Sequence, residues 1–207
     1  IEMTGTRRGA GAILSQGARA VADHLGENTH RYAYQNKGHE YAAWNPKGEV
    51  SMSLSYATAS RGACHLFGQY PSGQNRMALI DSVGICYFAR RLTNYDIIAQ
   101  LVTAVVGQTY TARDLTTVGE RAINIERSFN VREGFTRADD ELVPAAQAAE
   151  PLAAVTEEAR RFNESWLRRS LDSQYRQRGW DRETSQPSEI TLRRLGLDFI
   201  SFDEEAS

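Results

Sequence analysis

The sequence predicts an all-α fold, mainly α-helical with few short strands. Three observations lead there. Apolar residues recur at three- and four-residue steps over several long stretches. Alternating apolar and polar runs, the mark of half-buried strands, are scarce. Capping residues and glycines stand at the ends of the periodic stretches.

Residues 1–8 are polar and read as irregular. From Gly9 to Leu25 the positions Ile13, Leu14, Ala18, Val21, Ala22 and Leu25 form one helical stripe, and Gly26 stops it. Residues 27–50 hold aromatics, two glycines and Pro46 without a period, so they read as a long loop with short extended pieces. Residues 51–60 are small and mixed and suit a tightly packed helix, ended by Arg61-Gly62. Residues 68–75 carry turn chemistry, and Met77 to Ile80 forms an apolar lead into Asp81-Ser82-Val83-Gly84-Ile85-Cys86. Asp96 to Val106 reads as a buried helix. Thr111 caps the next helix, Ala112 to Phe129, with Asp114 in its first turn. Residues 131–150 connect to a charged amphipathic helix from Thr156 to Arg178, ended by Gly179. Ser188 caps a last short helix to Leu195, with Gly196 after it. Pro144 and Pro151 mark a soft boundary, but residues 1–207 are expected to form a single helical unit.

Composition narrows the function classes. The chain has 207 residues, 41% of them hydrophobic and 24% charged, so a sizeable core is possible. Its net charge is −2, and the basic residues are scattered among acids, which argues against nucleic-acid binding. No apolar run reaches membrane-spanning length, so no membrane partner is expected. Two cysteines and no leader-like opening point to the cytoplasm. The opening Ile1-Glu2-Met3 suggests a fragment of something longer.

Several side chains could carry chemistry. In Asp81-Ser82-Val83-Gly84-Ile85-Cys86, a thiolate could ligate a metal or cluster, and a carboxylate could accept from the N–H groups of a heterocycle. A glycine between them admits a bulky group. By composition alone Cys86 reads as a buried structural thiol. His65 is a candidate proton carrier, but Cys64 beside it points elsewhere along the chain, so the two make no dyad. No His-x-x-x-His or His-Glu-x-x-His spacing occurs, which argues against zinc. Lys37 to Pro46 reads either as a surface loop or as an aromatic pocket wall built from Tyr41 and Trp44. Glu126-Arg127 and Arg132-Glu133 read as structural ion pairs, and Asp139-Asp140-Glu141 as a solvated acidic turn.

Taken in order, four segments resemble the helical C-terminal region of the tungsten- or molybdenum-containing aldehyde ferredoxin oxidoreductase family. They are Lys37-Gly38-His39-Glu40 with Trp44 to Gly48 and Ser55 to Leu66; Asp81 to Phe88; Gly119-Glu120-Arg121 through Asn124-Ile125-Glu126-Arg127 to Arg137, with Asp139-Asp140; and Leu171 through Tyr175 to Asp181, closing on Leu195-Gly196-Leu197. The third is highly specific.

The resemblance implies a tungsten or molybdenum bis-pterin with a [4Fe–4S] cluster beside it. It implies oxidation of a small aldehyde or related carbonyl substrate to the acid. Electrons would pass to ferredoxin or another electron-transfer protein. Asp81 matches a pterin-binding aspartate, Ile85 a residue that touches the pterin through its backbone, and Cys86 a cluster ligand lying against the pterin. Gly84 lies between them. His65 matches an active-site histidine that assists proton movement or positions the substrate, and is the catalytic candidate. Tyr41 and Trp44 fall where pocket-lining aromatics lie. A homodimer is compatible with the family.

The chain also departs from the family pattern. A Cys-x-x-Cys-x-x-x-Cys set, the β-rich N-terminal base and the second Asp–Gly motif are absent. His65 and Cys86 are closer in sequence than usual, and Phe67 stands where a basic residue is common. Two other readings therefore stand beside the first. One is the same scaffold in acyl-thioester reduction or an electron-transfer complex. The other is a non-catalytic helical domain kept for subunit contact.

Overall fold

The computed structural model describes residues 1–26, 28–42, 50–91, 93–142 and 157–202. Its helices are α1 Glu2–Gly5, α2 Ala10–Leu14, α3 Ala18–Leu25, α4 Val50–Thr58, α5 Pro71–Ser82, α6 Tyr95–Val106, α7 Ala112–Arg132, α8 Glu157–Arg178 and α9 Glu189–Arg194. Single 3-10 turns lie at Thr29–Tyr32, Tyr87–Arg91 and Arg137–Asp140. Two short antiparallel strands, β1 Gln35–Asn36 and β2 His39–Glu40, pair Gln35 with Glu40 and Asn36 with His39. The expected helical class holds. No helix among the described residues is long and apolar enough to cross a membrane.

The chain forms two compact units, where the sequence reading takes residues 1–207 as one. The first comprises Ile1–His65 and Arg137–Asp172, the second Leu66–Thr136 and Ser173–Ser207.

In the first unit α4 supplies half of the buried residues of one core cluster. Met52, Leu54, Tyr56 and Ala57 are buried with Ala63, Leu142, Leu167 and Leu171, and Tyr34 and Tyr41 pack on them. The stripe expected to run unbroken from Gly9 to Leu25 is cut into α2 and α3. The break falls at Gly17, whose φ of +93° leaves the helical region, and Glu40 Oε1 accepts from the backbone N–H of Ala18 at 2.7 Å, so a β2 carboxylate satisfies the start of α3. Residues 1–8, expected to be irregular, contain the single helical turn α1.

In the second unit α5 packs along α7. Gly119 makes this possible: a Cβ there would lie 2.0 Å from the Asn75 carbonyl oxygen. The turn expected across residues 68–75 is overturned from Pro71 onward. Pro71 begins α5, where a missing N–H costs nothing and its fixed φ suits a helix. Thr111 caps α7 as expected, in a reciprocal capping box with Asp114. Ser188 caps α9, accepting from Thr191 N–H.

The expectation that α6 is buried is only half met. Ile98 and Ala99 join Leu79 and Leu115 in a core cluster, but Ile97, Leu101, Val105 and Val106 are exposed.

The family-like segment around Arg127 is structural. Arg127 is buried, donates from Nε to the Ser185 carbonyl at 3.0 Å and from Nη2 to the Tyr175 hydroxyl, and lies over Trp180. The expected Arg132–Glu133 pair forms at 3.6 Å, on the surface.

Candidate functional site

The second unit carries the Asp81–Cys86 segment. Helix α5 ends there because Gly84 adopts φ +72°, a left-handed conformation that side chains with a Cβ resist. Two nested bonds close the end: Ile85 N–H to Ile80 O at 3.0 Å, and Gly84 N–H to Asp81 O at 3.2 Å. This is a Schellman turn, with Ile85 tucked against the Leu79 cluster. Glycine is demanded here by φ, because a Cβ on Gly84 would meet no atom within 4 Å.

The turn presents chemistry outward. Asp81, Gly84 and Cys86 are all exposed, and Ile85 is half-buried. The composition-only reading of Cys86 as a buried thiol is overturned, since it is exposed and free. The physical reason is its place just past a helix end, where no core covers it. Among the described residues the Asp81 carboxylate has no hydrogen-bond or ion-pair partner.

The first unit carries His65 and Tyr41. His65 follows the buried Cys64 and is half-buried itself. The loop before it is held by Ser55 Oγ, which donates to Cys64 O at 2.7 Å, and by Arg61 Nη2, which donates to Cys64 Sγ at 2.9 Å. Cys64 and Cys86 are both free, so no bridge forms. Tyr41 stacks on Tyr56 with ring centroids 4.6 Å apart, and Tyr34 meets it edge-on at 5.7 Å. The Tyr41 hydroxyl is buried with no hydrogen-bond partner among the described residues. Burial first, then the neighbouring Tyr56 and Tyr34, pushes its phenol well above the usual range, so it stays a neutral donor. Trp44 lies outside the described residues.

The candidates therefore sort by unit: His65 and Tyr41 in the first, Asp81, Gly84, Ile85 and Cys86 in the second.

Sequence reasoning missed one buried ion pair. The solvated acidic turn expected at residues 139–141 is overturned at Asp140, which is wholly buried 2.7 Å from the Lys37 ammonium. Lys37 also donates to the Ala57 carbonyl at 2.6 Å, tying the β1–β2 turn to the end of α4. The one hint in the sequence is rarity, since Lys37 is one of only two lysines.

The Asp81 turn suits part of a pterin and iron–sulfur site. It offers an unpartnered carboxylate, an exposed thiol and open space beside Gly84. It offers no more than one cluster ligand. Among the described residues no three His, Cys, Asp or Glu groups are placed to hold a metal ion, whereas a [4Fe–4S] cluster takes four ligands.

Comparison with known proteins agrees with the resemblance. The family described as "Aldehyde ferredoxin oxidoreductase, domains 2 & 3" matches residues 1–197. A tungsten-containing aldehyde ferredoxin oxidoreductase of Pyrococcus furiosus is 29% identical over 95% of the chain, and one of Thermococcus kodakarensis is 28% identical over the same share. The chain spans 36% of the length of each. Among solved structures, the active-site complex BamBC of benzoyl coenzyme A reductase, bound to 1,5-dienoyl-CoA, superposes with a TM-score of 0.78 at 17% identity. The match covers 96% of this chain and 38% of that one, and it shows a shared fold.

Proposed function

We propose, from the premise that the chain belongs to the aldehyde ferredoxin oxidoreductase family, that it supplies part of the cofactor and substrate site of a tungsten or molybdenum bis-pterin oxidoreductase. The reaction is oxidation of an aldehyde to a carboxylic acid, with ferredoxin or a similar protein taking the electrons. The observation that carries this reading is the Asp81 turn, where an unpartnered carboxylate and a free thiol stand exposed on one helix end.

When bound, the metal–pterin group would supply the two-electron oxidation, with water giving the second oxygen of the acid. Asp81 would accept hydrogen bonds from pterin N–H groups, and Gly84 would keep the approach open. The Cys86 thiolate would give one of the cluster's ligands. His65 would hold or move the proton released as the acid forms, a role suited to an imidazole near neutral pH. The Tyr41 hydroxyl, neutral and without a partner, would donate to the substrate carbonyl.

A second reading keeps the fold and changes the substrate. The likeness to a benzoyl coenzyme A reductase complex supports acyl-thioester reduction on the same scaffold. Assaying aldehydes and acyl-thioesters side by side separates the two.

The first test is metal analysis of the native, anaerobically purified polypeptide that contains this chain. One tungsten or molybdenum with about four iron atoms supports the reading, and Cys86→Ala should then lose cluster iron. Neither metal and no iron would overturn it, in favour of a helical contact domain.

A further inference from the structure

We propose that a second site, at the N-terminal end of α5, binds a phosphate monoester between Arg76 and the first turn of that helix. The site is a cavity of about 750 Å³ in the second unit, lined by Pro71, Ser72, Gly73, Arg76, Tyr95 and Arg178 among others. That volume is within the range of small-molecule sites.

Two arginines that line this cavity, Arg76 and Arg178, hydrogen-bond to no carboxylate among the described residues. Arg178 is 2% exposed. It donates to Asn75, to the Pro71 carbonyl at 3.0 Å and to Gln74 Oε1 at 2.9 Å, all neutral acceptors, and its Nε has no partner. A buried cation with only neutral partners is costly, and a bound anion relieves that cost. Burial already pushes Arg178 down to about 10, with Glu120 and Glu126 acting against it from a distance.

Arg76 is anchored and still half free. Its Nη2 donates to the carbonyls of Arg90 and Thr93, each at 2.5 Å, and its guanidinium lies 5.8 Å from the Tyr95 ring centre. Among the described residues nothing accepts from its Nε or Nη1. Those two donors lie on separate edges of the guanidinium, and each offers one charge-assisted hydrogen bond to an oxyanion from a group held in place before any ligand arrives.

The helix adds further donors. Tyr70 provides no side-chain cap to α5. Gln74 N–H is satisfied by the Tyr70 carbonyl at 2.9 Å, which leaves the N–H groups of Ser72 and Gly73 without an intrahelical acceptor. Uncapped first-turn N–H groups next to an arginine favour phosphate. The one acidic group in the lining, Glu120, is held by Arg194 through both oxygens, at 2.5 and 3.1 Å. Pro71 and Tyr95 give the cavity an apolar wall for an organic body, which favours an ester over the free ion.

The test is calorimetric titration of the full polypeptide with phenyl phosphate, inorganic phosphate and benzoate. Saturable binding of phenyl phosphate, tighter than benzoate, is expected. Arg76→Gln should weaken it about tenfold or more, the worth of one charge-assisted contact. Arg113→Gln, an exposed change outside the lining, should leave it unchanged. Thermal unfolding checks that Arg76→Gln still folds, and Arg76→Lys should recover part of the affinity. No saturable binding, benzoate binding as tightly, or an Arg76→Gln affinity equal to wild type would each overturn the proposal.

Discussion

The Lys37 ammonium lies 2.7 Å from the Asp140 carboxylate, and their side chains are 2% and 0% exposed. The pair joins residues distant in sequence, one in the β1–β2 turn and one in the 3-10 turn before Leu142. Removing one member leaves the other charged and buried. Lys37→Met should therefore cost about 3–5 kcal/mol, read as a lower urea midpoint of the full polypeptide. Lys37→Met with Asp140→Leu should recover a large part of that loss, because neither charge is then stranded.

Tyr41 tests structure against function at one atom. Its buried hydroxyl has no partner among the described residues, so Tyr41→Phe removes a group that contributes nothing to folding. Stability should stay within about 1 kcal/mol of wild type or rise slightly. If the hydroxyl donates to substrate, KM should rise in the same variant while the melting temperature holds. An unchanged KM would remove Tyr41 from the pocket.

Two glycines should respond differently to alanine. Gly119→Ala puts a Cβ 2.0 Å from the Asn75 oxygen and forces α5 from α7, which should cost about 1–3 kcal/mol or more. Gly84→Ala meets no atom and strains only φ +72°, a cost of about 1–2 kcal/mol. Metal content should fall with Gly84→Ala beyond what its stability loss explains, and should follow stability alone with Gly119→Ala. Thermal melts paired with metal analysis check both.

Acid should weaken the fold through Asp181 and Asp114. Backbone N–H groups of Thr184 and Glu183, and then the Thr184 hydroxyl, hold Asp181 below the usual carboxylate range. The Thr111 hydroxyl and backbone do the same for Asp114. A carboxyl depressed in the folded state stabilises fully above its unfolded value of about 4. That contribution is lost as pH falls through the lower folded value. Urea midpoints should therefore drop as pH falls below about 4, and less steeply in Asp181→Asn, which keeps the acceptor but cannot titrate.

What the sequence determined by itself is what neighbours in the chain decide. Thr111 and Asp114 are three residues apart, and their capping box marks the start of α7 without help from elsewhere. Gly26, Gly179 and Gly196 end their helices for the same local reason. The Asp81–Cys86 group was legible because one helix end spans all of it. Tertiary structure decided what distant residues decide. Glu40 caps the start of α3, because its carboxylate reaches the N–H of Ala18 from another element. Asp140 is buried because Lys37 meets it, and nothing near residue 140 announces a lysine. The apolar run of α6 predicted burial, but burial needs a surface to pack on, and only the side bearing Ile98 and Ala99 finds one among the described residues. Arg76 and Arg178 came to line one cavity by the same route, since a charge's partners are set by the packing of helices and not by its position in the chain.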